Sequence, residues 1–371
     1  MIVWLHSMQW LGHYSLFGYQ TFRMVLAAVA AFLISVLFTQ YLVKRFRKAR
    51  LFENQSEHEE PEHIKKMIQK GEIPKPEEKP SDVATMGGIA IVTGILVSVL
   101  ITCDLSSRLV TGALVATSLM ALIGFADDFV KMRKGKGISS ILKLLLQLLA
   151  AAWVLAFLYM PNGPTPDMTE LWLPLDKDLV IQLGGMYAIL FILFTVGSAN
   201  AVNVTDGIDG LSAGLMAIAC LALAVVAYVA GRQDYSEYLY IAYVPDAGEI
   251  AIVLCATTGA CLGFLWHNAS PASIYMGDTG SLALGATFAY CGLVVKQEFV
   301  ALIIGAVFLI ELVSVAIQIC MIRCFGKRYF GIAPIHIVFQ KIGWKDTHIV
   351  TRAYIIGIFL AMLALGSMKI R

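Results

Sequence analysis

Asp127, Asp128, Asp206, Asp209 and Asp278 are the residues of this 371-residue sequence best placed to do chemistry. Each falls at the edge of an apolar segment, and carboxylates at membrane depth are costly and by default functional. Asp127 and Asp128 are adjacent, so on a helix they point about 100° apart. They cannot serve one ligand position equally; one suits a metal while the other takes a proton or a structural partner. Asp206 and Asp209 share a face if their segment is helical. Taken alone, Asn203–Leu211 reads equally as a polar turn, in which Gly207 and Gly210 permit close backbone approach to a ligand. The loop Trp266–Ser281 is longer than a turn requires. It offers Asp278, several hydroxyls including Ser281, and the amides of Gly277 and Gly280, which suit phosphate oxygens at a helix start. Tyr275 in that loop reads either as a base-stacking ring or as an interfacial tyrosine.

Lys143 and Gln147 lie one turn apart in an apolar segment. The lysine either snorkels or meets an anionic lipid head group. Glu311 and Gln318 share a helical face and are read as interhelical hydrogen-bonding groups. An oxygen-only set rich in aspartate suits Mg²⁺ or Mn²⁺ rather than zinc. Magnesium takes one or two carboxylates and leaves positions for substrate phosphates. No G-x-x-x-x-G-K-[ST] loop is present. The residues therefore point to metal-assisted phosphoryl chemistry at a membrane face, with one lipid-borne and one soluble substrate.

The elements that must position these groups are membrane helices. Hydrophobic types make up 58% of the chain and charged types 15%, against about half and a quarter in soluble domains. A crossing needs about 20 apolar residues. Ten segments qualify: 22–43, 83–103, 109–127, 138–160, 180–199, 211–230, 249–266, 281–295, 299–321 and 349–366. No strand is expected, because no alternating ten-residue segments recur. Most of the 28 Lys and Arg fall in the loops after the first, third and ninth segments. The positive-inside rule puts those loops in the cytoplasm and both termini outside. All five aspartates then lie at the cytoplasmic boundary. A single domain over 1–371 is expected, with 51–82 a charged, solvated cytoplasmic loop. Met1–Gln20 lacks a positive n-region and a cleavage site, so it is read as an interfacial segment rather than a signal peptide, with Trp4, Trp10, Tyr14, Phe17 and Tyr19 at the lipid–water boundary. The seven cysteines are read as small hydrophobes. The net charge of +2 gives no argument for nucleic acid.

Six motifs occur in order: Thr85-Met-Gly-Gly88, Gly124-Phe-Ala-Asp-Asp128, Asn200-Ala-Val-Asn-Val-Thr-Asp-Gly-Ile-Asp-Gly-Leu211, Phe264-Leu-Trp266, Met276-Gly-Asp-Thr-Gly-Ser281 and Ala333-Pro-Ile-His336. Together they resemble the phospho-N-acetylmuramoyl-pentapeptide transferases, within the superfamily of polyprenyl-phosphate N-acetylhexosamine-1-phosphate transferases. The resemblance implies an all-α fold of ten membrane helices with periplasmic termini, in the bacterial inner membrane. It implies transfer of phospho-MurNAc-pentapeptide from UDP-MurNAc-pentapeptide to undecaprenyl phosphate, giving lipid I and UMP, with Mg²⁺. By the same resemblance Asp127 is the base on the lipid phosphate, Asp128 supports it, and Asp278 is the Mg²⁺ ligand. Lys143 would meet the lipid phosphate. Asn203, Asp206, Gly207 and Asp209 would line the nucleotide side, with Tyr275 at the uracil-stacking position. Lys79, Thr85, Gly277, Ser281 and His336 complete the expected substrate contacts. A homodimer is implied only because members of the family often pair.

The sequence departs from the family pattern in three places. Two of three consecutive histidines are replaced in His336-Ile-Val338, the lysine before Thr85-Met-Gly-Gly88 is displaced at Lys79 with its Gly-Thr-Pro turn gone, and the preceding loop is longer. Three rivals are carried: a sister transferase using another UDP-N-acetylhexosamine, an impaired UDP-sugar-binding paralogue, and a secondary transporter. A transporter would place its acids near the membrane midplane, on broken helices and repeats; here they gather at one face.

Overall fold

The computed structural model describes residues 16–49, 83–159, 169–172, 180–326 and 332–369. The charged segment 51–82, with Lys79, lies outside the described residues, as do Trp4, Trp10 and Tyr14. The helices in chain order are α1 (Gln20–Ala49), α2 (Gly88–Thr102), α3 (Arg108–Lys134), α4 (Ser140–Leu158), α5 (Met186–Thr205), α6 (Leu211–Ala230), α7 (Gln233–Leu239), α8 (Ala247–Asn268), α9 (Gly277–Val294), α10 (Glu298–Ile304), α11 (Ala306–Phe325), α12 (Ile335–Lys341) and α13 (Asp346–Ser367). The chain is an all-α, multi-pass membrane protein: eight of these helices are long and apolar enough to cross a bilayer. Two expected crossings fall short of that measure. α2 has only 15 residues, and α9 begins with the polar run Gly277-Asp278-Thr279-Gly280.

Which helices face lipid follows from side-chain type. α9 is buried from Thr279 to Val294, and α8 is buried along most of its length. Both are rich in Gly, Ala, Ser and Thr, the small residues that let helix backbones approach. α1, α4, α11 and α13 lie outside and expose Leu, Ile, Val and aromatic side chains, among them Leu33, Trp153, Ile317 and Phe359. Several polar groups inside the bundle find partners within it, as hydrocarbon favours. Thr117 and Thr287 share a 2.6 Å hydrogen bond between α3 and α9, and the Tyr290 hydroxyl donates to the Leu109 carbonyl. At one end of the bundle Arg23 of α1 makes a two-pronged ion pair with Glu249 of α8, at 2.6 and 3.0 Å. Glu249 also accepts from the Asp104 amide.

Four expectations need correction. A three-residue antiparallel hairpin, β1 (Glu170–Trp172) with β2 (Val180–Gln182), sits between α4 and α5. The expected span 180–199 therefore begins as a strand, and its helix starts only at Met186, after Gly184-Gly185 breaks the chain direction. The expected span 299–321 is divided at Gly305 into α10 and α11. α3 runs seven residues past its expected end, because Lys131, Arg133 and Lys134 favour the negative end of the helix dipole. Cys320 and Cys324 are exposed on α11, whereas the other five cysteines are buried.

Candidate functional site

Asp127 and Asp128 lie in the last two turns of α3, and the angle between them gives them different partners. Asp128 turns to α9. Its Oδ1 accepts from the Asp278 amide at 3.0 Å, and its Oδ2 accepts from the Thr279 amide at 2.9 Å and the Thr279 hydroxyl at 2.6 Å. The first turn of any helix leaves amides without intrahelical partners. Met276 supplies no side-chain cap for α9, so a carboxylate from another helix does the capping. The segment 277–281, expected as part of a loop, is therefore helical. Gly277 makes this fit possible: its φ is +74°, and a Cβ there would stand 2.8 Å from Asp128 Oδ2.

Asp127 turns to α4. Its Oδ1 accepts from the Ile138 amide at 2.8 Å, and its Oδ2 lies 3.5 Å from Lys143 Nζ. The Lys143 ammonium also pairs with Asp278 Oδ2. Asp278 Oδ1 accepts from Asn203 Nδ2 at 2.8 Å, and the same amide group donates to Ser281 Oγ at 2.9 Å. Side chains from α3, α4, α5 and α9 thus meet in one polar chain, Asp127–Lys143–Asp278–Asn203–Ser281. The three charged members keep 11–21% of their side-chain surface exposed, so the cluster is sheltered but open. Lys143 is held between two carboxylates, which neither snorkelling nor a lipid contact alone describes. One turn along α4, buried Gln147 accepts from Asn200 Nδ2 at 2.6 Å, which ties α4 to α5.

The remaining expected residues form a rim. α5 ends at Thr205, with Asp206 as its C-cap. Asp206 and Asp209 therefore do not share a helical face; the polar turn is what forms, since Gly207 and Gly210 disfavour a continued helix. Asp209 accepts from the Ala272 amide at 3.0 Å. Asn268 accepts from the Gly210 amide and donates to the Ile274 carbonyl, stitching the same turn to the 269–276 loop. That loop is gripped on its other side by the strap carrying Thr85. Ala84 bridges Ile274, the Tyr275 amide donates to the Ala84 carbonyl, and the Gly87 and Gly88 amides donate to the Tyr275 and Met276 carbonyls. His336 begins α12, is buried, and stands against Gly207; a Cβ on that glycine would lie 2.6 Å from His336 Nε2.

Thr279, Asn268 and Glu311 were missed as parts of the site. Thr279 follows Asp278 directly within Met276–Ser281, and Glu311 is an acid inside an apolar span, so both carried a signal. Asn268 carried none beyond its place at a helix end. Glu311 makes the expected bond between helices, accepting from the His336 amide of α12.

Among the described residues no three His, Cys, Asp or Glu side chains converge as a metal cage. Asp278, which keeps part of its side chain exposed beside Lys143, instead offers a hard oxygen that suits a magnesium ion completed by phosphate oxygens and water. A protein-family model, Glycosyl transferase family 4, matches residues 110–296, half of the chain. The matched stretch runs from the first turn of α3 to just past α9 and holds the whole Asp127–Ser281 cluster. The chain belongs to glycosyl transferase family 4, and is a membrane transferase that moves a sugar phosphate onto a polyprenyl phosphate.

Proposed function

We propose that this protein transfers phospho-MurNAc-pentapeptide from UDP-MurNAc-pentapeptide to undecaprenyl phosphate at the cytoplasmic face of a bacterial inner membrane. The products are lipid I and UMP. The observation that carries the reading is the meeting of Asp127, Lys143 and Asp278 at one end of the bundle, beside the Asn203–Leu211 turn. In the reaction an oxygen of the lipid phosphate attacks the sugar-bearing phosphorus of the donor. A new phosphoanhydride forms, the bond from that phosphorus to the oxygen bridging it to the uridine phosphate breaks, and UMP leaves with that oxygen and the electron pair.

Each residue has a part set by its position. The Lys143 ammonium offsets the repulsion between two anionic phosphates, the main obstacle to their approach. Asp127, held by the Ile138 amide, takes the residual proton of the lipid phosphate. Asp278 would hold Mg²⁺, which when bound neutralises charge developing on the phosphate oxygens. Asn203 fixes the Asp278 rotamer, and Asp128 fixes the start of α9 on which Asp278 rides. The Asp206–Asp209 turn, Tyr275 and the Thr85 strap border the donor side.

The test is UMP release by purified protein in detergent, supplied with undecaprenyl phosphate and either UDP-MurNAc-pentapeptide or UDP-GlcNAc, with Mg²⁺ or EDTA. Release that needs Mg²⁺ and only the muramoyl donor is expected. Release with UDP-GlcNAc alone would move the chain to the sister transferases, and release in excess EDTA would remove the metal.

A further inference from the structure

Glu311 is an acid in the second turn of the apolar helix α11, and only 6% of it is exposed. Its carboxylate is directed at a single residue. Both oxygens accept from the His336 amide, at 3.2 and 3.4 Å, and Oε2 lies 3.2 Å from His336 Nδ1. Nδ1 makes no aligned hydrogen bond, so the carboxylate acts on it through its charge at 3.2 Å. The far side of the ring, Nε2, faces Gly207 in the turn between Asn203 and Leu211. Which ring nitrogen of a histidine carries its proton is set by the hydrogen bond the other one makes. A carboxylate 3.2 Å away repels a lone pair on Nδ1 and favours the proton there, which leaves Nε2 with its lone pair turned toward the turn.

We propose that Glu311 is a positioning residue for donor recognition. It locks His336 at the start of α12 in the Nδ1–H form, so that Nε2 accepts a hydroxyl or amide hydrogen of the sugar donor beside Gly207. The proposal rests on the donor-binding reading above. It also accounts for an otherwise isolated charge in α11 and for the single histidine that remains where the two following residues are Ile337 and Val338.

Two measurements test it. The first is a double-mutant cycle on UMP release, with the melting temperature of each variant checked in the same detergent. Glu311→Met removes the acceptor at nearly constant length and is expected to lower kcat/KM roughly tenfold, the scale of one charge-assisted hydrogen bond. Glu311→Gln, which still accepts from Nδ1–H, is expected to recover most of that loss. In a His336→Ala background Glu311→Met should have little further effect. An equal loss in both backgrounds would overturn the proposal. The second measurement is ¹⁵N spectroscopy of histidine-labelled protein, with His336 assigned among the seven histidines by its loss in His336→Ala. The neutral ring is expected as Nδ1–H in the unmutated protein and in Glu311→Gln, and as a mixture in Glu311→Met; an Nε2–H ring in the unmutated protein would overturn the proposal. This second reading needs no turnover. A protein that releases no UMP from either donor would therefore sink the proposed reaction while still deciding the role of Glu311.

Discussion

Asp127 and Asp128 are neighbours in sequence and opposites in use, and substitution should separate them. Asp128 receives three hydrogen bonds from the start of α9. Asp128→Ala leaves buried amides without acceptors, so it should destabilise the fold by about 2 kcal/mol, as loss of a helix cap does. That would appear as a lower melting temperature together with lost activity. Asp127 accepts one amide and faces Lys143. Asp127→Asn should abolish UMP release while melting temperature and UDP affinity stay near those of the unmutated protein. Equal melting behaviour in the two variants would contradict the assignment. Asp278 stands between Lys143 and Asn203, and Asp278→Asn should cut turnover by at least ~10²-fold, the scale for losing an electrostatic stabiliser. Near-normal turnover in folded Asp278→Asn would remove it from the mechanism.

α9 is the element on which the site depends, because its first turn carries Asp278 and its last turns are packed inside the bundle. Its start is set from outside by Asp128 and by the left-handed backbone at Gly277. Gly277→Ala puts a side chain in an unfavourable conformation and against a carboxylate oxygen, a strain of about 1–2 kcal/mol. The first turn should shift, and UMP release should fall at least tenfold while the helical circular dichroism is retained; unchanged kinetics would show that α9 does not need this geometry. The same element shows what sequence reading could reach. The apolar spans were legible because hydropathy follows from composition alone. The start of α9 was not, because its cap comes from a residue 150 positions earlier. The hairpin was hidden for a similar reason: strands of three residues are too short to show a period. The polar turn Asp206–Gly210 was one of two readings open in the sequence, and the α5 end at Thr205 decides between them.

At the scale of the whole molecule the bundle has two polar ends joined by an apolar middle, and α8 runs between them. Glu249 sits at its start and Asn268 at its end, about 29 Å apart at 1.5 Å per residue. The Asn268 end serves the site; the Glu249 end binds Arg23 and thereby ties α1 and the α2–α3 connection to the core. Carboxylate chemistry at the first end was legible in the sequence, since five aspartates gather there. The second end was not, because Arg23 and Glu249 are 226 residues apart and neither belongs to a motif. Its role is therefore expected to be stability without catalysis. Arg23→Met leaves the Glu249 charge buried with one amide donor, a loss of about 3–5 kcal/mol for half of a buried pair. Arg23→Met with Glu249→Leu removes both charges and should recover much of that loss. Thermal unfolding in one detergent measures the first two quantities, and the donor KM of each variant, taken below its melting range, measures the third. KM should match that of the unmutated protein in both. A double variant as unstable as Arg23→Met would mean that the Glu249 charge is not the source of the loss, and a raised KM would mean that the far end of α8 is coupled to the site after all.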